Sequence, residues 1–167
     1  MKILILNGSP RANGNTVEHI EAFMEGLKGH EAIVLPVGKM RIRPCMACQY
    51  CKEIDKGVCI QQDDMFKVYE VISDADMIVF ASPIHFYGLS GQLQAMMSRF
   101  HAVLPKAKKY ALFTSSVDEG AAEAVVIQYK KCIAYFGGED MGIFCASDKE
   151  NHHPEFLSKL KGFAQSL

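Results

Sequence analysis

Five short runs of β-prone apolar residues recur along the chain with helical patterns between them, and this alternation points to a parallel sheet covered on both faces. The runs are Lys2–Asn7 (KILILN), Ala32–Val37, Asp76–Ala81, Lys109–Thr114 and Met141–Ala146. Apolarity in the first run, Lys2–Asn7, is continuous rather than alternating, as in a strand buried on both sides. Helical spacing fills the intervals. Val17, Ile20, Phe23, Met24 and Leu27 share one face of Thr16–Leu27, and Met65, Val68, Tyr69 and Ile72 follow a helix start at Asp63-Asp64. Leu93, Met96, Met97 and Phe100 align within Leu89–Phe100; Ala121–Phe136 is a further helix, and Pro154 opens the last. Right-handed crossovers then give a doubly wound five-stranded sheet in the order 2-1-3-4-5. Without a repeat or a linker, residues 1–167 read as one domain, interrupted by an irregular cysteine-rich insertion at about 41–62.

Charge and hydropathy narrow the partners. A net charge of −1 argues against nucleic acid, whose binding requires a surplus of Lys and Arg. No apolar stretch approaches membrane-spanning length, and the N-terminal run is too short for a secretory signal, so a cytoplasmic location is expected and no membrane partner. Thiols stay reduced in that compartment, where clustered cysteines bind metal or carry out redox chemistry more often than they staple a fold. Four of the six cysteines fall between Cys45 and Cys59.

In an open parallel sheet, ligands bind beyond the carboxyl ends of the strands where strand order reverses, here between the first and third strands. The loop after the first strand reads NGSPRANGNT. Its Gly8 and Gly14 permit tight turns, Ser9, Asn15 and Thr16 offer small polar groups, and Arg11 adds a charge. Asn15 or Thr16 is expected to cap the following helix, whose N-terminus suits a phosphate dianion. The loop is neither a Walker loop nor a G-x-G-x-x-G fingerprint. The loop after the third strand, SPIHFYGLSGQ, places Pro83, Ile84, His85, Phe86 and Tyr87 ahead of Gly88. Pro83 is expected to break the strand, and flat or apolar side chains on a cleft loop suit a flat aromatic ligand. For Phe86 and Tyr87, packing beneath the next helix is the competing reading.

The segments Gly8–Thr16 (GSPRANGNT), Cys45–Met65 (CMACQYCKEIDKGVCIQQDDM) and Ser82–Phe100 (SPIHFYGLSGQLQAMMSRF) together resemble the NAD(P)H-dependent FMN reductase and iron–sulfur flavoprotein group of the flavodoxin-like superfamily. The resemblance implies an α/β flavodoxin-like three-layer sandwich with FMN as cofactor. It assigns the FMN phosphate to Ser9, Arg11, Asn15 and Thr16, and the ribityl chain and isoalloxazine to Pro83, Ile84, His85, Phe86 and Gly88, with Thr114, Ser115 and Ser116 closing the other side. It further implies a homodimer or homotetramer, for which the third helix presents its apolar face unless that face covers the sheet.

The spacing C-x2-C-x2-C-x7-C at Cys45, Cys48, Cys51 and Cys59 suits a 4Fe–4S cluster, because three close thiolates wrap one side of a cubane and a fourth arrives from further along the chain. Free thiols near a flavin and a structural zinc site are the other readings. Cys132 and Cys145 read as buried structural thiols. The expected activity is an FMN-dependent transfer of electrons from NAD(P)H to a small acceptor (quinone, flavin, nitro or azo compound) or to the cluster, with no catalytic acid or base evident. The alternatives are an electron carrier between proteins and a zinc-stabilised binding module without flavin.

Overall fold

The computed structural model describes all of residues 1–167. Parallel strands β1 (Lys2–Asn7), β2 (Glu31–Leu35), β3 (Met77–His85), β5 (Lys109–Ser116) and β6 (Glu139–Ser147) lie in the order β2-β1-β3-β5-β6. Two-residue β4 (Gly88–Leu89) folds back antiparallel on β3. Set aside that hairpin, and the path is the expected 2-1-3-4-5.

Strand β1 explains why the sequence runs apolar without alternating. Ile3 and Ile5 face one side and join Val79, Ala111 and Phe113 beneath α1 (Asn15–Gly26) and the last helix, α6 (Pro154–Gln165). Leu4 and Leu6 face the other side and join Ile78, Phe80 and Leu112 in the larger core. Helices α3 (Met65–Ile72), α4 (Gly91–Met97) and α5 (Glu123–Phe136) cover that core. The short helix α2 (Tyr50–Glu53) lies in the cysteine segment and contributes no buried residue. All four β1 side chains are at most 2 % exposed, and each such burial stabilises by about 1.5–3 kcal/mol.

Several boundaries depart from expectation. Strand β3 does not break at Ser82-Pro83 but continues to His85, with Ser82 and Pro83 still in register with Thr114 and Ser115. Proline is tolerated where the ladder does not call on its missing N–H. Strand β2 runs over Glu31–Leu35 rather than Ala32–Val37, and as an edge strand it leaves Ile33 and Val34 exposed. Helix α4 begins at Gly91 and ends at Met97. Leu93, Met96 and Phe100 are buried in the protein's own core, so this face covers the sheet rather than offering an interface. No helix is long and apolar enough to cross a membrane.

The C-terminal helix is tied to α1 through a buried histidine. His19 Nε2 donates to the Asn151 carbonyl at 2.9 Å, its ring lies 4.9 Å from that of Phe156, and Nδ1 has no partner. Burial pushes its pKa below the ordinary 6.5, against weaker opposing effects of the Asn151 bond and the Glu18 charge. The folded state thus holds His19 neutral and the unfolded chain takes up the proton more readily, so stability gained above pH 6.5 is lost as pH falls towards the folded pKa. Urea titrations from pH 7.5 to 5.5 should show falling stability, with a shallower slope in His19→Gln; an identical slope in the variant would exclude this histidine as the source.

Candidate functional site

The carboxyl ends of β1, β3 and β5 open on a groove of about 350 Å³ lined by three loops. Loop one supplies Ser9, Pro10, Arg11, Gly14, Asn15 and Thr16, the end of β3 supplies Pro83, Ile84 and His85, and the end of β5 supplies Ser115, Ser116 and Val117. The expected residues Ser9, Arg11, Asn15, Thr16, Pro83, Ile84, His85 and Ser115 are thereby brought together. Phe86 and Gly88 do not line the groove.

Loop one is held by its own polar groups. The Gly8 N–H continues the β-ladder to the Ala81 carbonyl at 2.7 Å, the Ser9 N–H donates to Asn7 Oδ1 at 2.9 Å, and the Arg11 N–H to Ser9 Oγ at 3.3 Å. At the start of α1 the expected side-chain cap is missing: Gly14 is the N-cap, and Asn15 and Thr16 are already the first helical residues. The Val17 and Glu18 N–H groups bond the Gly14 carbonyl, whereas those of Asn15 and Thr16 have no acceptor within the protein. Uncapped N–H groups with the helix dipole behind them form a site for an anion. Thr16 and Ser115, both nearly fully buried, share a 2.9 Å hydroxyl–hydroxyl bond that joins loop one to the β5 loop.

Two glycines are required by close approach. A Cβ on Gly8 would stand 2.7 Å from Ser90 Oγ, and one on Gly38 would stand 2.3 Å from the Ser9 carbonyl carbon and oxygen. Gly38, in the turn after β2, thus lets the backbone press on loop one from behind.

The β3 loop closes as a hairpin, Ile84 paired with Leu89 and His85 with Gly88. Its two turn residues, Phe86 (φ 48°) and Tyr87 (φ 60°), both take the left-handed conformation that such turns demand and that bulky residues adopt only under strain. Both are exposed, Phe86 completely, so neither packs beneath α4.

The four clustered cysteines stand apart from the groove's lining. Cys45 and Cys48 are exposed and Cys51, on α2, and Cys59 are half-buried, with left-handed Ala47 (φ 54°) and Gln49 (φ 61°) between the first three. The Ala47 N–H donates to Cys45 Sγ at 3.4 Å. No three His, Cys, Asp or Glu side chains converge as a metal-binding group. The set has the donors a cluster takes and lacks the convergence a cluster needs. Cys132 and Cys145 are half-buried, and burial raises the pKa of both thiols.

Sequence reasoning missed Pro10 and Val117, which carry no chemical signature, and Asn151. The Asn151 side chain is buried and donates to the Ser116 carbonyl at 2.8 Å, holding the β5 loop against the C-terminal segment. Also missed was Arg99, buried against Asp63. Burial opposes ionisation of Asp63, yet hydrogen bonds from Arg99, Arg43 and Met65 outweigh it and hold the carboxyl below its ordinary range.

Replacing Gly38 by Ala forces the loop-one backbone to move, an overpacking cost of about 1–3 kcal/mol. Thermal unfolding should show a lower Tm for Gly38→Ala; an unchanged Tm would mean that the contact with Ser9 relaxes freely.

Comparison with known proteins follows this geometry. Residues 1–152 match the family of NADPH-dependent FMN reductases. An iron-sulfur flavoprotein of Archaeoglobus fulgidus is 37% identical over 101 residues, covering 59% of this chain and 48% of that protein. The chain spans about half the length of the curated relatives it matches first. Among solved structures, RosB with the bound intermediate 8-demethyl-8-formylriboflavin-5'-phosphate superposes at TM-score 0.79 and 18% identity, covering 99% of this chain and 76% of RosB. The NAD(P)H:quinone oxidoreductase of Methanothermobacter marburgensis superposes at TM-score 0.71 and 19% identity, covering 99% and 93%. These two likenesses establish the fold, and the family match over most of the chain carries the assignment: the chain belongs to the NADPH-dependent FMN reductase family.

Proposed function

We infer that the chain is an FMN-dependent oxidoreductase that takes electrons from NAD(P)H and delivers them to a small oxidised compound such as a quinone, a free flavin, or a nitro or azo compound. The observation that carries this reading is the uncapped start of α1 opening into the groove between β1, β3 and β5. Family membership and the flavin phosphate bound by the structural neighbour RosB support it.

Bound FMN would supply the electron-transfer chemistry, accepting a hydride equivalent from the nicotinamide and releasing electrons to the acceptor. The protein's own groups bind and orient. The Asn15 and Thr16 N–H groups, the hydroxyls of Ser9 and Thr16, and the Arg11 guanidinium would neutralise the phosphate. Ser115 would tie the phosphate end to the β5 loop through Thr16. Pro83, Ile84 and His85 supply a firm wall, because they lie on or beside the β3–β5 ladder rather than on a free loop. Phe86 and Gly88 would act through the hairpin: Gly88 pairs with His85, which lines the groove, and Phe86 presents an exposed aromatic face at the hairpin tip. No side chain of the groove is called on as an acid or base.

Assembly as a homodimer or homotetramer accords with the exposed aromatic pair Phe86-Tyr87 at the tip of the β3–β4 hairpin. Sedimentation at micromolar concentration should return a multiple of the 18.5 kDa chain mass, and a monomer would remove this part of the reading.

Thr16→Val deletes one hydroxyl from the phosphate site and its bond to Ser115. A hydrogen bond to a charged group contributes about 1.5–3 kcal/mol, so FMN affinity in a fluorescence titration should drop by about one to two decades. Unchanged affinity would place the phosphate elsewhere. Anaerobic addition of NADPH or NADH to the FMN-loaded protein should bleach the flavin absorbance; a flavin that stays oxidised would refute the proposed direction of electron flow.

A further inference from the structure

Arg99 is the largest fully buried side chain of the protein, its side chain 1% exposed, and every acceptor it uses lies between residues 43 and 63. Nη1 donates to both Asp63 carboxylate oxygens at 2.7 and 2.6 Å and reaches the Arg43 carbonyl at 3.4 Å. Nη2 donates to the Gln61 carbonyl at 3.1 Å and to Cys59 Sγ at 3.3 Å. The preceding residue completes the grip, since Ser98 Oγ accepts the Cys45 N–H at 3.0 Å. Two adjacent residues at the end of α4 therefore hold the first and last of the four clustered cysteines.

At the neck of the segment the Arg41 N–H donates to Asp64 Oδ2 and the Asp64 N–H to the Arg41 carbonyl, the Arg43 N–H donates to Asp63 Oδ2, and Gln61 Nε2 donates to the Pro44 carbonyl. Between Cys45 and Cys59 no residue is buried, and α2 within it packs no side chain into a core. A guanidinium is suited to such a task because its rigid fork presents several N–H groups in one plane; here Nη1 and Nη2 are engaged and Nε has no partner. Tyr69 adds a constraint from the other side, its hydroxyl donating to the Arg99 carbonyl at 3.0 Å. Arg99 is thus the one buried ion through which the body of the protein grips the segment, beside the Ser98–Cys45 bond.

From this arrangement we propose that Arg99 is the positioning residue of the cysteine segment, bracing the neck that the Arg41–Asp64 and Pro44–Gln61 bonds close and fixing Cys59 Sγ, while Cys48 and Cys51 lie on the loop and on α2, which Arg99 does not touch. This assignment is independent of the FMN reading.

Arg99→Lys keeps the charge and loses the fork. Hydrogen–deuterium exchange followed by mass spectrometry on the full chain should show exchange in residues 43–64 at least tenfold faster than in the wild type, with β1, β3 and β5 unchanged and FMN affinity within twofold. Exchange that is unchanged at 43–64, or accelerated evenly across the sheet, would overturn the proposal. Should Arg99→Lys not fold, Cys59→Ala and Cys59→Ser provide the reciprocal test on a half-exposed residue. Serine keeps an acceptor for Nη2 and alanine does not, so exchange in 57–62 should be faster in the alanine variant; equal exchange would also overturn the proposal. Anaerobic reconstitution of the wild type with ferrous iron and sulfide reports separately on metal binding. The proposal predicts that whatever iron the wild type retains falls at least threefold in Arg99→Lys, and equal retention from a non-zero level contradicts it. A wild type that retains none removes the cluster reading and leaves the exchange result to decide on Arg99.

Discussion

Burial of β1 on both faces sets the terms for everything around it. A strand whose side chains enter two cores must lie inside a sheet, with β2 on one side and β3 on the other, and strand order then reverses across it. That reversal parts the crossovers to opposite faces and leaves the carboxyl ends of β1 and β3 without a connection running over them. The groove is the space this topology cannot fill. Loop one occupies its floor because Gly8 extends the β1 ladder by one more bond to Ala81, which delivers the backbone to the start of α1 in a fixed direction.

The polar chemistry of the groove follows from what the sequence withholds. A Ser or Asp at position 14 would cap α1 with a side chain and satisfy the N–H groups now free; Gly14 cannot. Binding free energy left unused by the fold is thereby available to a ligand anion. The surrounding hydroxyls are not spread evenly. Ser9, Thr16 and Ser115 are buried, whereas Arg11 is exposed, so short neutral donors fix the position and the charge contributes from solvent at lower cost in desolvation. On the opposite wall, rigidity comes from β3 continuing past Pro83, which makes the strand end itself part of the binding surface.

Much of this was legible in the residues. The KILILN run, the alternation of strand and helix, and the two glycine-bearing loops led to the sheet order and to most of the groove lining. What escaped the sequence depends on contacts between distant segments. The capping role fell to Gly14 rather than Asn15 or Thr16 because a cap is defined by backbone angles, which side-chain chemistry only biases. Strand β3 outran its expected end because Pro83 sits where the ladder does not need its N–H. Arg99 reads as an ordinary helix-end cation until Asp63, 36 positions away, is seen beside it. Asn151 is equally silent, a polar residue in a short turn whose amide reaches back to Ser116. The cysteine spacing was plain, but spacing alone does not bring sulfurs together.

The account rests on the start of α1 acting as an anion site, and the phosphate can be tested apart from the ring. Calorimetric titration with FMN and with riboflavin compares ligands that differ only in that group. With several N–H and O–H donors on a dianion, each bond contributing about 1.5–3 kcal/mol, FMN should bind at least about two decades more tightly. Equal affinities for FMN and riboflavin would contradict the account, since the groove would then recognise the ring without using the helix terminus that the fold leaves open.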